Sequence, residues 1–175
     1  VNPTLPTVQI NLLLIIGNNM KIGITGTTAG IGATIIKMPY EFVEFDRQDG
    51  DLNEPSCVYE KLKDCDVFIN NAWEGDCQVK LLTYFFDTWR DQHKKIISIG
   101  SSVCSYQPSS NGYGDYVDFK RQLRTAHCDI VNLKTTKCKS YLVNPGVTDT
   151  KLVQSRECNK MTTDDVTSII KFVLE

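Results

Sequence analysis

Short apolar runs alternate with helix-like segments along this chain. Five runs have the length and composition of strands, at residues 21–25, 41–45, 66–70, 95–100 and 140–144. Helical patterns lie near residues 30–38, 55–63, 78–91, 113–127 and 162–174. Strands that are apolar on both faces and separated by helices indicate a parallel sheet covered on both sides. Because such crossovers are right-handed, we predict an α/β, Rossmann-like doubly wound parallel sheet with helices on both faces, in a single domain.

Two predicted helices carry further information. In residues 78–91 the apolar positions are spaced i, i+3, i+4 and i+7, at Leu82, Phe85, Phe86 and Trp89. A helix with so wide an apolar face is buried on more than one side, either in a deep core or in a homodimer interface that also uses residues 113–127. The last helix has Thr162 or Thr163 as a candidate N-cap, with Asp164 and Asp165 in its first turn.

Composition narrows the functional classes. The net charge is −2 and Lys and Arg form no block, so we expect neither a nucleic acid nor a membrane as partner. The seven cysteines are odd in number and contain no C-x-x-C, which argues against a disulfide framework and a zinc site. The histidines have no metal-ligand spacing, so no metal is expected. Scattered free thiols are typical of a cytoplasmic protein.

The first 19 residues differ from the rest of the chain. Their apolar run, INLLLIIG, is too short to cross a bilayer and lacks the basic region of a signal peptide. We expect residues 1–19 to be an extension, with an NAD(P)-binding domain over residues 20–175 that begins at Met20. The alternative is an additional edge strand.

A glycine-rich turn, TGTTAGIG, follows the first predicted strand and opens a helix. Gly26 permits a tight turn, Gly30 allows a pyrophosphate to approach the backbone, and Gly32 allows close helix packing. The free N–H groups of the helix N-terminus favour an anion there. The spacing is G-x-x-x-G-x-G, and its position after a strand predicts a dinucleotide site that includes Thr27 and Ile31.

Polar residues also follow the later strands. After the second strand, Asp46 could bind ribose hydroxyls and favour NAD, whereas Arg47 could bind a 2′-phosphate and favour NADP. Ligands of such sheets bind outside the carboxyl ends of the strands. The residues at these ends of the third, fourth and fifth strands are Asn70 and Asn71, Ser101 and Ser102, and Pro145 and Gly146.

A tyrosine and a lysine stand one helical turn apart in GDYVDFK. On the predicted helix the apolar stripe runs through Tyr113, Tyr116, Val117 and Leu123, and Lys120 lies on it. A lysine on an inward face is unexpected unless its charge meets a partner there. Tyr116 and Lys120 are therefore either a catalytic pair or a chance pair on a solvated helix.

These motifs together resemble the short-chain dehydrogenase/reductase family. TGxxxGIG, NNA, a serine after the next strand, YxxxK and NPGxxxT occur in the family's order, from Met20 to about residue 152. The resemblance implies that Tyr116 is the general acid/base, Lys120 its activator and a ribose ligand, and Ser101 or Ser102 the partner of the substrate carbonyl, with Ser101 preferred. A lysine cation near a tyrosine lowers the phenol's pKa from about 10, so we expect a lowered pKa at Tyr116.

The same resemblance implies a cofactor, NAD or NADP, and a set of ligands for it. The pyrophosphate would lie on Gly26, Thr27, Gly30, Ile31 and Gly32, and the ribose near Asp46 or Arg47. The adenine would lie between Asp51 and Leu52, and the adenosine side would be lined by Asn71 and Ala72. The nicotinamide would contact Pro145, Gly146, Val147 and Thr150, with Tyr116 and Lys120 beside it.

The chain departs from the family pattern in several places. One strand instead of two separates the glycine helix from GDLNE, an arrangement similar to the dTDP-4-dehydrorhamnose reductase branch. No asparagine stands between Ala72 and Pro108, where many members anchor a water chain, so a proton relay would need another group or bulk water. The substrate-covering insertion after NPG is short, which predicts an open, shallow pocket or one completed by a second subunit.

Three functions fit these features. The first is an NAD(P)-dependent oxidoreductase that moves hydride between nicotinamide and a small carbonyl or alcohol. The second is a catalytically weak dinucleotide-binding module with a sensing or scaffold role. The third is a nucleotide-sugar reductase or epimerase. Retention of serine, tyrosine and lysine favours the first, because a pure binding module does not need Tyr116.

Overall fold

The structure is a computed structural model, and it describes residues 20–105, 114–150, 153 and 157–175. The strands are β1 (Lys21–Thr25), β2 (Glu41–Phe45), β3 (Val67–Asn70), β4 (Lys95–Ile99) and β5 (Lys139–Val143). The helices are α1 (Gly30–Ile35), α2 (Pro55–Leu62), α3 (Cys77–Trp89), α4 (Gly114–Asn132) and α5 (Thr163–Leu174), and a 3₁₀ turn spans Ser102–Ser105. The predicted extension, residues 1–19, and Tyr113 lie outside the described residues.

All five strands pair in parallel, in the order β2-β1-β3-β4-β5. The three central strands are buried almost throughout, whereas the edge strands β2 and β5 are partly exposed. This burial explains why the central strands read as continuous apolar runs. The strand order reverses between β1 and β3, so a crevice opens there at the carboxyl ends of the strands. The predicted doubly wound α/β fold is confirmed.

Apolar side chains fill both faces of the sheet. One cluster joins Phe45, Phe68 and Ile96 of the sheet to the buried residues of α2, α3 and α4. The other joins the opposite face of the strands to α1 and α5. The apolar stripe of α3 belongs to the first cluster: Leu82, Phe85 and Trp89 are fully buried within this chain. Burial in the core of this chain therefore explains the wide apolar face of α3, and a homodimer stays a prediction.

Helix ends differ most from the sequence prediction. Helix α1 ends at Ile35 instead of residue 38, because i→i+3 turns close the chain there, with Lys37 N donating to Thr34 O at 3.2 Å and Met38 N to Ile35 O at 3.0 Å. Helix α4 continues to Asn132 instead of residue 127. It continues because Ile130, seven residues after Leu123, packs on the same core and extends the apolar face.

The last helix begins as predicted. Thr162 is the N-cap of α5, its Oγ1 accepts a hydrogen bond from Asp165 N at 3.0 Å, and the Asp165 carboxylate accepts from Thr162 N at 2.8 Å. This reciprocal pair is a capping box, in which two otherwise unpaired donors are satisfied. In the part of the chain that the structure describes, every helix is too short or too polar to cross a bilayer.

Candidate active site

The glycine turn between β1 and α1 has a conformation that only glycine adopts easily. Gly26 and Gly30 have positive φ angles of 74° and 60°. Gly32 has an ordinary φ, but a Cβ at that position would lie 2.0 Å from the carbonyl oxygen of Gly26. The start of α1 is therefore packed directly against the turn, and these glycines form a shallow open cradle at the carboxyl end of β1.

Residues at the end of β3 hold this cradle in place. The Asn71 amide donates from Nδ2 to the carbonyls of Thr25, at 3.1 Å, and Gly26, at 2.8 Å. The Ala72 N–H donates to Thr25 Oγ1 at 3.1 Å. Both amide hydrogens of Asn71 are thus used inside the chain. The residue fixes the turn, and its contact with an adenosine stays a prediction.

The end of β2 differs from what the sequence suggested. The Asp46 carboxylate caps its own turn by accepting from Gln48 N at 2.7 Å, and Arg47 is exposed. The carboxylate that faces the glycine turn belongs to Glu44, whose Oε2 accepts from the Thr27 hydroxyl at 2.5 Å. Sequence reasoning missed Glu44, although strand alternation places it on the face opposite the buried Phe45.

The predicted adenine ligands lie in the turn between β2 and α2. Asp51 Oδ1 accepts from the backbone N–H of Asn53 at 2.8 Å, so this carboxylate stabilises the turn. Leu52 is partly buried against the core cluster of α2, α3 and α4. The structure keeps both residues on the β2 side of the glycine cradle, and their contact with an adenine stays a prediction.

A cavity of about 770 Å³ opens beside the cradle, at the carboxyl ends of β4 and β5. It brings together residues from distant parts of the sequence. Of the predicted site residues it is lined by Ile31, Asn71, Ser101, Tyr116, Lys120, Pro145, Gly146, Val147 and Thr150. The glycines, Thr27 and Ala72 lie next to it at the β1 end, whereas Asp46, Arg47, Asp51 and Leu52 lie on the β2 side.

Ser101 and Tyr116 meet at the wall of this cavity. The Ser101 hydroxyl interacts with the Tyr116 phenol and lowers its pKa, which opposes the effect of burial. Ser101 Oγ also accepts from Val103 N at 3.3 Å. Ser102 begins the 3₁₀ turn and donates its N–H to Pro145 O at 2.9 Å. Ser101 is therefore the serine whose hydroxyl faces Tyr116.

Lys120 is buried beneath the tyrosine ring. It is only 4 % exposed, and its Nζ lies 5.4 Å from the centre of the Tyr116 ring. The ammonium donates to Gln78 Oε1 at 2.6 Å and to the carbonyl of Ile99 at 2.8 Å. Burial lowers the pKa of Lys120 from 10.5 to about 8, because the charged form loses hydration.

The pKa of Tyr116 moves opposite to the expectation. Burial raises it above the ordinary value of 10, and the Ser101 hydroxyl offsets only part of this effect. The prediction of a lowered pKa is wrong for this structure. The physical reason is that Lys120 directs its hydrogen bonds to Gln78 and Ile99, away from the phenol oxygen.

Two further residues of this site escaped the sequence analysis. Gln78 is 3 % exposed and lies one turn before Leu81 and Leu82 on the buried face of α3. A polar residue on an apolar stripe was the signal, the same one that singled out Lys120. Trp73 contacts Tyr116 edge to face, with ring centres 5.0 Å apart and an interplanar angle of 84°. A tryptophan directly after a strand end carries no comparable signal.

Comparisons with known proteins agree with this architecture. Neither models of protein families nor curated proteins gave a match to the chain. Solved structures did, and one is a short-chain dehydrogenase/reductase of Serratia marcescens, with a TM-score of 0.72 and 13 % identity over 90 % of this chain and 91 % of that one. A second is a short-chain dehydrogenase from Burkholderia cenocepacia in complex with NADP, with a TM-score of 0.69 and 17 % identity over 90 % of each chain.

A third similar structure is the closed form of a serine dehydrogenase complexed with NADP+. It has a TM-score of 0.68 and 16 % identity over 88 % of each chain. At such identities the likeness concerns the arrangement of the backbone. The chain has the fold of the short-chain dehydrogenases/reductases.

Proposed function

We propose that this chain is an NAD(P)-dependent oxidoreductase of the short-chain dehydrogenase/reductase type, acting on a small carbonyl or alcohol. The observation that carries the proposal is that Ser101 and Tyr116 line one cavity together, above the buried Lys120 and next to a glycine cradle. Buried ionisable groups with shifted pKa values that line a cavity cluster at functional sites.

The glycine cradle fits the pyrophosphate of a dinucleotide. Side chains are missing where a phosphate would approach, since Gly26 and Gly30 have positive φ angles and Gly32 has no room for a Cβ. The cradle continues into the cavity through Ile31 and Asn71, so one extended ligand can reach from the β2 side to Tyr116. When bound, a nicotinamide cofactor supplies or accepts the hydride.

The side chains of this chain would handle the proton and the substrate oxygen. Because burial raises the pKa of Tyr116, its phenol is protonated at neutral pH and can donate to the oxygen of a carbonyl that is being reduced. Ser101, which lines the same cavity, would hold that oxygen in line. Lys120 would place a positive charge under the ring, where it stabilises a developing phenolate.

We further propose that Glu44 sets the cofactor preference. Its carboxylate lies at the glycine turn, on Thr27, where the ribose of a bound dinucleotide would be recognised. A carboxylate there accepts hydrogen bonds from ribose hydroxyls and repels a 2′-phosphate. This favours NAD(H), in contrast to the NADP in the complexes named above, while the exposed Arg47 is the competing cation for a phosphate.

A dinucleotide-binding module of low activity is the second candidate. It is favoured by the raised pKa of Tyr116 and by the direction of the Lys120 hydrogen bonds, which go to Gln78 and Ile99. A site built this way binds a ligand without an activated base. Both candidates bind the cofactor, but only the oxidoreductase turns over a substrate at a substantial rate.

The first test measures oxidation of NADH and NADPH at the nicotinamide absorbance band with a panel of carbonyl compounds. We expect turnover in the wild type and its loss in Tyr116→Phe, because the proton donor is removed. Tyr84→Phe is the matched control, since Tyr84 is 38 % exposed on α3 and lies outside the cavity lining. Cofactor binding without turnover on any carbonyl would contradict the oxidoreductase and support the module.

The second test concerns the cofactor preference. In Glu44→Gln we expect the ratio of NADPH to NADH affinity to rise by roughly tenfold or more, because a carboxylate beside a phosphate costs more than 1 kcal/mol. Asp46→Asn is the control, since the Asp46 carboxylate is occupied in its own turn. Equal ratios in wild type and Glu44→Gln would refute the role of Glu44.

A further inference from the structure

The buried ammonium of Lys120 has an unusual partner. Two of its three hydrogens are taken by Gln78 Oε1, at 2.6 Å, and by the carbonyl of Ile99, at 2.8 Å. Within residues 20–105 and 114–150, the third hydrogen has no acceptor and is left for the cavity, which Lys120 lines. Buried cations require such acceptors, because desolvation without them costs several kcal/mol. Among the residues that the structure describes, Gln78 supplies the side-chain acceptor of this ammonium.

The orientation of the Gln78 amide is determined by its other contacts. Its Nε2 donates to the carbonyl of Asn70 at 2.8 Å and to that of Ile99 at 3.1 Å. Both amide hydrogens are then used, so the oxygen must face Lys120. A flipped amide would bring NH₂ against NH₃⁺ and would place the amide oxygen against the carbonyls of Asn70 and Ile99.

A second layer holds the backbone of Gln78. The Asn70 side chain donates from Nδ2 to the Gln78 carbonyl at 2.8 Å and lies 3.5 Å from Ser98 Oγ. Asn70 and Ser98 are both fully buried. The network therefore joins the ends of β3 and β4 to the first turn of α3, and it leaves the amide oxygen as a rigid acceptor.

We propose that Gln78 is a positioning residue that fixes the Lys120 ammonium under Tyr116 and occupies the inner side of that ammonium, so that Lys120 exchanges its proton only through the cavity. This deepens the proposed oxidoreductase function and rests on it. It also supplies a polar group on α3 within the stretch from Ala72 to Pro108, which has no asparagine. A glutamine in direct contact replaces a water chain on that side.

Several titratable groups face Lys120 and enter any pH effect. They are Cys77 at the start of α3, Cys104 in the 3₁₀ turn, and Tyr116 on its own helix. The thiol pKa of Cys77 is raised by burial. Cys77 is therefore neutral near the pKa of about 8 of Lys120, and a carboxylate placed at residue 78 would be a new charge beside the ammonium.

The test follows the ionisation of Lys120 in the cofactor-free protein by NMR of ¹³C-labelled lysine. Its resonance is assigned by its loss in Lys120→Met. In Gln78→Glu we expect the midpoint to rise by about 1 to 3 pH units, because an opposite charge stands at hydrogen-bond distance. In Gln78→Met we expect it to fall below the wild-type value, because an acceptor is lost. Gln92→Glu and Gln92→Met are matched controls, since Gln92 is exposed after α3.

The pH dependence of turnover gives an independent result. In Gln78→Glu, the pH at which kcat/KM falls on the alkaline side should increase by the same amount as the NMR midpoint. A merely structural role of Gln78 would lower the rate without changing this pH. An unchanged Lys120 midpoint in folded Gln78→Glu or Gln78→Met would overturn the proposal. If the Gln78 variants shift the Lys120 midpoint but wild type turns over no carbonyl compound, the positioning role stands and the oxidoreductase proposal fails.

A measurement on the wild type keeps the proposal falsifiable if both variants fail to fold. The side-chain amide protons of Gln78 should exchange with solvent at least tenfold more slowly than those of Gln92, because two carbonyls bind them in the interior. Equal exchange rates for the two glutamines would show that the amide is not locked, and the proposal would be withdrawn.

Discussion

Gly32→Ala is the change that probes the glycine cradle most directly. In the structure the added Cβ would lie 2.0 Å from the Gly26 carbonyl oxygen and 2.7 Å from Asn71 Nδ2. Side chains cannot approach backbone this closely, so α1 and the turn must move apart by on the order of 1 Å. The same movement stretches the hydrogen bond of 2.8 Å between Asn71 and Gly26.

The expected destabilisation follows from three contributions. Overpacking costs about 1–3 kcal/mol, and the weakened hydrogen bond costs about 1 kcal/mol. The helix propensity of alanine returns up to about 1 kcal/mol. The net loss is roughly 1–3 kcal/mol, which lowers Tm by about 2–12 °C for a domain of this size.

Thermal unfolding and dinucleotide titration measure the two consequences. The control is Gly114→Ala at the first residue of α4, where an added Cβ meets nothing within 4 Å and φ is not positive. We expect the stability of that control to be unchanged or slightly higher. If Gly32→Ala unfolds at the wild-type temperature and binds NAD and NADP as the wild type does, the close packing of turn and helix is refuted.

Two further predictions concern stability. Burial lowers the pKa of Lys120 in the folded protein to about 8, so between pH 8 and 10.5 the unfolded chain binds more protons at this residue than the folded chain does. The Lys120 contribution therefore makes the free energy of unfolding rise with pH, by roughly 3 kcal/mol over this range. The buried thiols Cys65 and Cys138, whose pKa values are raised to about 11, change the stability in the opposite direction. The Lys120 contribution is therefore isolated by comparing the denaturant unfolding of wild type and Lys120→Met at each pH. Parallel curves of stability against pH would contradict the prediction. Thr162→Ala should lose about 1 kcal/mol by removing the cap of α5, whereas Thr163→Ala should lose much less; equal losses in chemical denaturation would speak against the capping box.

The site shows where sequence reasoning succeeds. Lys120 could be recognised because a charged residue stands on an apolar helical stripe, and the structure buries it to 4 % exposure. The glycines of the turn could be recognised because their spacing follows a strand and precedes a helix. The serine of the site could be narrowed to Ser101 or Ser102, because both follow the same strand end.

Other features depend on contacts between segments that are distant in sequence. Glu44 faces the glycine turn because β2 pairs with β1 in a register that matches Phe45 with Thr25. The pKa of Tyr116 is raised by its burial, which depends on how deeply α4 packs over the 3₁₀ turn. Ser101, which follows β4, partly opposes this rise. Neither the register nor the depth of packing is encoded in a local pattern.

The sequence by itself determined the fold class, the five strands and the order of the motifs, because apolar periodicity and glycine spacing are local and direct. Only the tertiary structure decided the electrostatics of the site. The Lys120 cation turns to Gln78 and Ile99 because α3 and β4 bring those acceptors within 2.6 Å and 2.8 Å of it. Burial and hydrogen-bond partners, which set protonation states, arise when helices pack and cannot be read from the order of residues.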